Sequence, residues 1–225
     1  MYQGIPLIGI DLANASELLI ELLIEDAMDP SIYMEIAKAN LNRREILDIL
    51  LENPETPEDV KRFIIDSKGF LDKPKVATTK IYKTPEQRQE TIFQRIQRLS
   101  VSERILLALR GGKDVRTLLL RDPNKEVALT VLQNPKITET EVEIVAKSRS
   151  VPEELLRKIA KKREWIKNYN IVLALVTNPK TPANISLSLV NDLRTKDLAL
   201  LEKNKNVSEG LRAMAKKLLR ARKAH

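Results

Sequence analysis

The stretch Lys161-Lys-Arg-Glu-Trp-Ile-Lys-Asn-Tyr169 is the part of this chain best equipped to meet a ligand. It sets Lys161, Lys162, Arg163 and Lys167 beside Trp165, the only tryptophan, and beside Tyr169. Cations next to aromatic rings hold phosphates and stack on bases. The same residue types anchor a partner peptide. Trp165 and Tyr169, four apart on a predicted helix, can equally wedge between two repeats as core. A second basic run closes the chain at Lys216-Lys-Leu-Leu-Arg-Ala-Arg-Lys223, where cations also suit the negative end of a helix dipole.

No catalytic constellation accompanies these residues. There is no cysteine, which removes disulfides, thiolate metal sites and a cysteine nucleophile, and fits a reducing compartment. The one histidine is His225, so neither a Ser-His-Asp triad nor a histidine metal site is expected. Glu139, Glu141 and Glu143, like Glu153 and Glu154, fall where first-turn carboxylates complement a helix dipole. Gly111-Gly112 lacks the Lys-Ser/Thr of a phosphate loop and follows a helical pattern rather than a strand. No cofactor or metal is expected, and the chain reads as a non-enzyme.

The elements that must position such residues are short helices marked off by a recurring phrase. It reads Asn53-Pro-Glu-Thr-Pro57, Asn134-Pro-Lys-Ile-Thr138 and Asn178-Pro-Lys-Thr-Pro182, with looser copies at Ser148–Pro152 and Asn204–Ser208. Asn stops a helix where its side chain tolerates the left-handed conformation, and the proline disfavours helix in the residue before it. Thr138 and Ser208 are predicted N-caps, Thr138 with Glu141 at capping-box spacing. Thr56 and Thr181 are predicted caps with Pro57 and Pro182 as first helical residues. Gly111 is predicted to end its helix as a C-terminal glycine does.

Apolar periodicity predicts helices over about 15–28, 31–39, 43–52, 57–67, 85–98, 102–110, 113–121, 124–133, 138–147, 152–163, 166–177, 182–193, 195–203 and 208–222. Phe93 is among the residues expected to face inward. Residues 68–84 carry no helical stripe and read as a Lys-rich loop or linker, with 76–82 a candidate extended segment. The charge changes sign there: residues 1–66 carry 14 Asp/Glu and 5 Lys/Arg, net −9, and residues 67–225 carry 17 and 34, net +17. Three parts are therefore expected: an acidic helical lobe over 1–67, the linker over 68–84 and a basic helical-repeat domain over 85–225. The two halves echo each other at an offset of about 93–95 residues, Asp29-Pro30 answering Asp122-Pro123 and Asn40 answering Asn134. No positive n-region precedes residues 1–10, and Leu18–Ile24 is too short and too charged to span a bilayer, so a cytoplasmic protein is expected.

The Asn-Pro-x-Thr-Pro phrase, the Leu155-Leu156-x-x-Ile159-Ala160 stripe and the run Val172-x-Ala174-Leu175-Val176-x-Asn178-Pro179 resemble HEAT-like α-solenoids and the leucine-rich repeat variant. They look similar to a group of uncharacterised bacterial helical-repeat proteins. The resemblance covers roughly 100–222 and, more weakly, 15–66. It implies an all-α, right-handed α-solenoid of stacked short helices that serves as an interaction surface. The iron–sulfur segment of some leucine-rich repeat variant proteins does not carry over to a chain without cysteine. Some HEAT-like enzymes excise alkylated bases with a basic groove, a Trp and an Asp, and Trp165, Asp192 and Arg194 are the positions such a role would use. The candidate binding residues are thus Lys161, Lys162, Arg163, Trp165, Lys167, Tyr169 and Arg194. The expected partner is a protein or peptide, with nucleic acid as the alternative.

Overall fold

The structure, a computed structural model, describes residues 12–25, 27, 29–68 and 91–223. Among the described residues it is all-helical, with fifteen α-helices and two short 3-10 turns. The segment predicted as a linker, and the extended stretch within it, lie outside the described residues apart from the backbone of Lys68.

The chain divides into two compact units, between Val115 and Arg116. In the first, α1 (Glu17–Glu25), α2 (Ser31–Ala39), α3 (Arg44–Glu52), α4 (Glu58–Lys68), α5 (Ile92–Arg98) and α6 (Val101–Arg110) enclose Leu19, Ile20, Leu23, Ile36, Ile46, Leu47, Leu50, Ile64 and Leu107. The division does not follow the predicted one at 68–84, and the reason is electrostatic. Arg95 on α5 pairs with Glu25 at 2.6 Å and Glu21 at 3.2 Å, Arg110 meets Glu35 at 3.3 Å, and α6 packs on α1. Basic residues from beyond the predicted linker thus pair with the acidic helices. The first unit carries 19 Asp/Glu and 16 Lys/Arg, net −3, leaving the second with 12 and 23, net +11.

The boundary falls within α7 (Lys113–Leu119). The second unit continues with α8 (Lys125–Val131), α9 (Glu139–Lys147), α10 (Glu153–Lys161), α11 (Arg163–Ile166), α12 (Tyr169–Thr177), α13 (Ala183–Leu189), a 3-10 turn over Val190–Asp192, α14 (Thr195–Lys203) and α15 (Glu209–Lys223). Neighbours in sequence pack together, as α9 with α10, α12 with α13 and α14 with α15. Contacts also skip one helix, joining α8 to α10 and α13 to α15, or two, joining α9 to α12 across the short α11. Val172, Val176, Val190, Leu193, Leu198, Leu201, Val207, Leu211, Ala215 and Leu219 form one buried cluster within the last of these helices.

The recurring phrase folds as an Asx turn. The side-chain oxygens of Asn53, Asn134, Asn178 and Asn204 accept from the backbone N–H two residues on, at 2.9, 2.9, 3.0 and 2.9 Å. Asn53, Asn178 and Asn204 are extended, with φ between −76° and −80°, so left-handed backbone is not what stops these helices. The stop comes from the side chain competing for the turn. The Asn178 amide also reaches across the stack: its Nδ2 donates to Ala146 O at 2.7 Å and Ser148 O at 2.9 Å, carbonyls at the end of α9. Asn40 does the same in the first unit, donating to Leu12 O at 3.2 Å and Ile36 O at 2.9 Å.

Capping divides the predictions. Thr138 and Ser208 cap as expected, Thr138 in a capping box with Glu141, and Ser16 Oγ accepts from Leu19 N at the start of α1. Thr56 and Thr181 do not: Pro182 takes the N-cap position before α13, and both threonine hydroxyls are buried without a hydrogen-bond partner. Of the predicted helix over 85–98, residues 85–90 lie outside the described residues, and Thr91 is an extended N-cap that starts α5 in a capping box with Gln94. Phe93, one residue into that helix, is 52% exposed rather than inward. Gly111 is extended, at φ −67°, not left-handed. A Cβ there would stand 2.6 Å from Leu107 O and 2.8 Å from Val115 Cγ1, so glycine serves close approach.

Opposite outcomes are expected at neighbouring positions of one phrase. Asn178→Ala removes two buried donors and the Asx turn and lowers stability by about 2–3 kcal/mol. Thr181→Val removes an unpartnered hydroxyl and raises it by about 1 kcal/mol. Denaturant unfolding of both variants checks this; a stability loss for Thr181→Val would mean that the hydroxyl is engaged.

Candidate functional site

The predicted binding phrase is broken into separate helix joints. Lys161 ends α10, Lys162 is extended, Trp165 lies on α11, and Asn168 caps α12 by accepting from Asn170 N. Trp165 and Tyr169 therefore stand on different helices rather than on one turn of the same helix. Trp165 is 4% exposed and Lys162 Nζ covers its ring at 4.2 Å from the centroid, so that ring has no open face for a base. Lys162 also lies 3.8 Å from Glu164. Lys161, Arg163 and Lys167 are exposed.

Tyr169 and Arg194 come together at a second joint, between α12 and α14. The Arg194 guanidinium sits 4.3 Å from the Tyr169 ring centroid, and Arg194 N donates to the phenol oxygen at 3.0 Å. The phenol donates to the Asp197 carboxylate in the first turn of α14. Burial first, and then the hydrogen bond to Asp197, push the Tyr169 phenol up, so it stays neutral and donating. Asp192, which a base-excising role would use, ends the 3-10 turn and is exposed.

The feature that sequence reasoning did not find is a groove of about 280 Å³ across α9, α12 and α14. Leu173, Ala174, Leu200 and Leu201 supply its apolar surface, and Glu143, Lys147, Asn170, Asp197 and Asn204 its polar one. Leu200 is 66% exposed, an unusual place for a leucine on a surface rich in lysine. The stripe Asp197, Leu200, Leu201, Asn204 has helical spacing, and this was the available signal. Lys147 is held by Glu143 at 2.5 Å. A smaller recess of about 30 Å³ lies beside α7 and α9, lined by Leu120, Arg121, Ile144, Val145 and Val151. Ile144 is 53% exposed there.

One buried ion pair and one exposed hydrogen bond hold α9 and α12, two of the helices that carry the groove. Arg116, 1% exposed, donates from Nε to Glu141 Oε1 at 2.9 Å and from Nη2 to Oε2 at 3.2 Å. The same carboxylate accepts from Thr138 N at 2.8 Å and Thr138 Oγ1 at 2.7 Å. Asn168 Nδ2 donates to Glu139 Oε2 at 2.6 Å, tying the start of α12 to the start of α9. Burial raises the Glu141 carboxyl, but the Arg116 and Thr138 hydrogen bonds outweigh it and hold the group below its usual value.

No metal-holding group of three or more His, Cys, Asp or Glu occurs among the described residues, nor does any helix there have the length and apolarity to cross a membrane. No family model matches the chain, and no curated protein or solved structure matches it.

A lowered Glu141 fixes the sign of a pH effect. Its contribution is complete above the unfolded carboxyl value of about 4.3 and is lost as pH falls through the lower folded value. Glu141→Gln replaces the carboxylate facing the buried Arg116 with a neutral amide and costs about 3–5 kcal/mol near pH 7. Protonation makes the wild type resemble the variant, so the gap narrows below about pH 4. Denaturant unfolding at both pH values checks this, and a gap unchanged in acid would contradict it.

Proposed function

We propose that this protein is a non-enzymatic interaction scaffold that holds a protein or peptide partner on a helical-repeat surface of the Arg116–His225 unit. The observation that carries the reading is the groove across α9, α12 and α14, with Leu200 at 66% exposure on its edge. Exposed apolar side chains rimmed by polar ones mark association surfaces. Helix grooves of this kind take side chains from a docked segment.

The same reading makes the helices an α-solenoid of HEAT-like or leucine-rich repeat variant-like kind. Contacts that skip one helix, α8 to α10 and α13 to α15, or two, α9 to α12, support it, as does the Asn178 side chain bridging back to the end of α9. A reducing, cytoplasmic setting belongs with it, on the absence of cysteine.

Nucleic-acid binding is the second reading, favoured by one feature. On α15, Lys216, Arg220 and Lys223 recur at i, i+4 and i+7, all exposed. Against it, neither recess gathers cations: Lys147 in the larger is ion-paired, and the smaller holds Arg121. Trp165 offers no stacking face.

Co-purification from the native cell separates the two. The scaffold reading expects a protein retained by the wild type and by Lys216→Glu with Arg220→Glu, and released by Leu200→Asp. Steeply salt-dependent binding to mixed-sequence duplex or single strands, lost in the Lys216/Arg220 variant and kept by Leu200→Asp, would replace it with the nucleic-acid reading.

A further inference from the structure

On the reading of this groove as a docking site, its rim narrows the chemistry of the occupant. Lys196 and Lys203 stand one turn before and one turn after Leu200 on α14. In helical projection they lie roughly 40–60° from Leu200, on the side away from Asp197, Leu201 and Asn204. Both lysines are exposed, and among the described residues neither side chain forms an ion pair or hydrogen bond.

The other charges at the groove are already engaged. Glu143 and Lys147 hold each other at 2.5 Å. Asp197 is 8% exposed and accepts from the Tyr169 phenol, with the Arg194 guanidinium stacked on that ring. The unengaged charge beside Leu200 is therefore positive, and it sits in a unit of net charge +11. Two amides complete the surface. Among the described residues the Asn170 side chain makes no hydrogen bond, and Asn204 uses its Oδ1 alone, on Asn206 N at 2.9 Å. They offer N–H and C=O groups to an extended main chain. At about 280 Å³ the groove is at the small end for ligand pockets, and suits apolar side chains of a segment better than a whole small molecule.

We propose that the groove receives an acidic segment of a partner protein in which a leucine-class side chain is flanked by carboxylates. The apolar side chain packs among Leu173, Leu200 and Leu201. The flanking carboxylates reach Lys196 and Lys203, and Asn170 and Asn204 hold the main chain. Electrostatic complementarity of this kind selects the partner and speeds encounter, while the apolar anchor supplies most of the affinity.

The test uses the full chain and three fluorescein-labelled short peptides, followed by anisotropy at low salt. The first has two central leucines flanked by glutamates, the second the same leucines flanked by lysines, and the third serines flanked by glutamates. The first is expected to bind at least about tenfold more tightly than either control. Lys196→Glu with Lys203→Glu, and separately Leu200→Ser, should each weaken it about tenfold or more with the unfolding midpoint unchanged. Preference for the lysine-flanked peptide would overturn the proposed partner chemistry and leave the groove as a docking site. Equal binding of the glutamate–serine control would reduce the attraction to bulk charge and also overturn it. Failure of all three peptides would sink the docking reading as well. If an oligothymidylate binds, loses affinity in the Lys196/Lys203 variant and ignores Leu200→Ser, the surface belongs to nucleic acid and the proposal falls.

Discussion

A helix of nine residues leaves nearly as many backbone groups without an internal partner as it satisfies, and this chain is built largely from helices of about that length. Everything else in the fold answers that constraint. Such helices are also too short to hold themselves in water, so they persist only through packing. Their ends cannot be left to solvent once packed, because a buried unpaired N–H or C=O costs as much as a lost hydrogen bond. The solution is to let one helix terminate another. Asn178 both turns its own chain and covers the last carbonyls of α9. Arg222 donates to Asn191 O at 2.8 Å and Leu193 O at 2.6 Å, closing the 3-10 turn from α15. Glu103 caps its own helix at Ser100 and accepts from Ser16 N at 3.2 Å, at the entrance to α1.

Arg116 and Glu141 show the same logic carried into the core. Glu141 is an N-terminal helix residue whose carboxylate satisfies Thr138 from one side. Its burial would be costly with that alone, because a desolvated carboxylate needs a counter-charge. Arg116 supplies it in a bidentate pair, and the guanidinium is the side chain whose geometry matches a carboxylate at both oxygens. A lysine there would satisfy the charge and leave one oxygen poorly met. The pair therefore fixes the register of α9 against α7 more tightly than apolar packing of Val142 and Val145 does, since packing tolerates small slips and paired hydrogen bonds do not.

Helix positions and some caps are legible in the sequence, because apolar spacing and Ser/Thr–x–x–Glu signals are local. Thr138 and Ser208 cap where their spacing says they should. The misreadings share one physical origin. Thr181 resembles a cap, yet Pro182 already occupies the N-cap backbone position, so the hydroxyl is buried instead. Trp165 and Tyr169 look like one helical face, yet Asn168 starts a new helix between them. Arg116 looks like any surface cation until Glu141, 25 residues away, is known to face it. What a polar residue does here is decided by its partner across the stack, and a single sequence does not state that pairing. The division after Val115 follows the same rule, since the Arg95 and Arg110 pairings pull α5 and α6 onto the acidic helices.

The polar groups that join helices and the polar groups free to meet a partner can therefore be told apart by their engagement, not by their type. Lys162 over Trp165 and Arg194 over Tyr169 carry the residue types of a binding site, but each is turned toward another helix of its own unit. Asn178 and Asn170 are the same amino acid eight residues apart. One is buried with both functions satisfied, and the other lines an open groove with its amide unused. Leu201 and Leu200 are adjacent, at 1% and 66% exposure. The first belongs to the core cluster, and the second has apolar area that the fold gains nothing by displaying. Between such neighbours, stability accounts for one member of each pair and leaves the other without a role in the fold. The concentration of such members at one groove, rather than at the aromatic–basic phrase, is what the proposed docking site rests on.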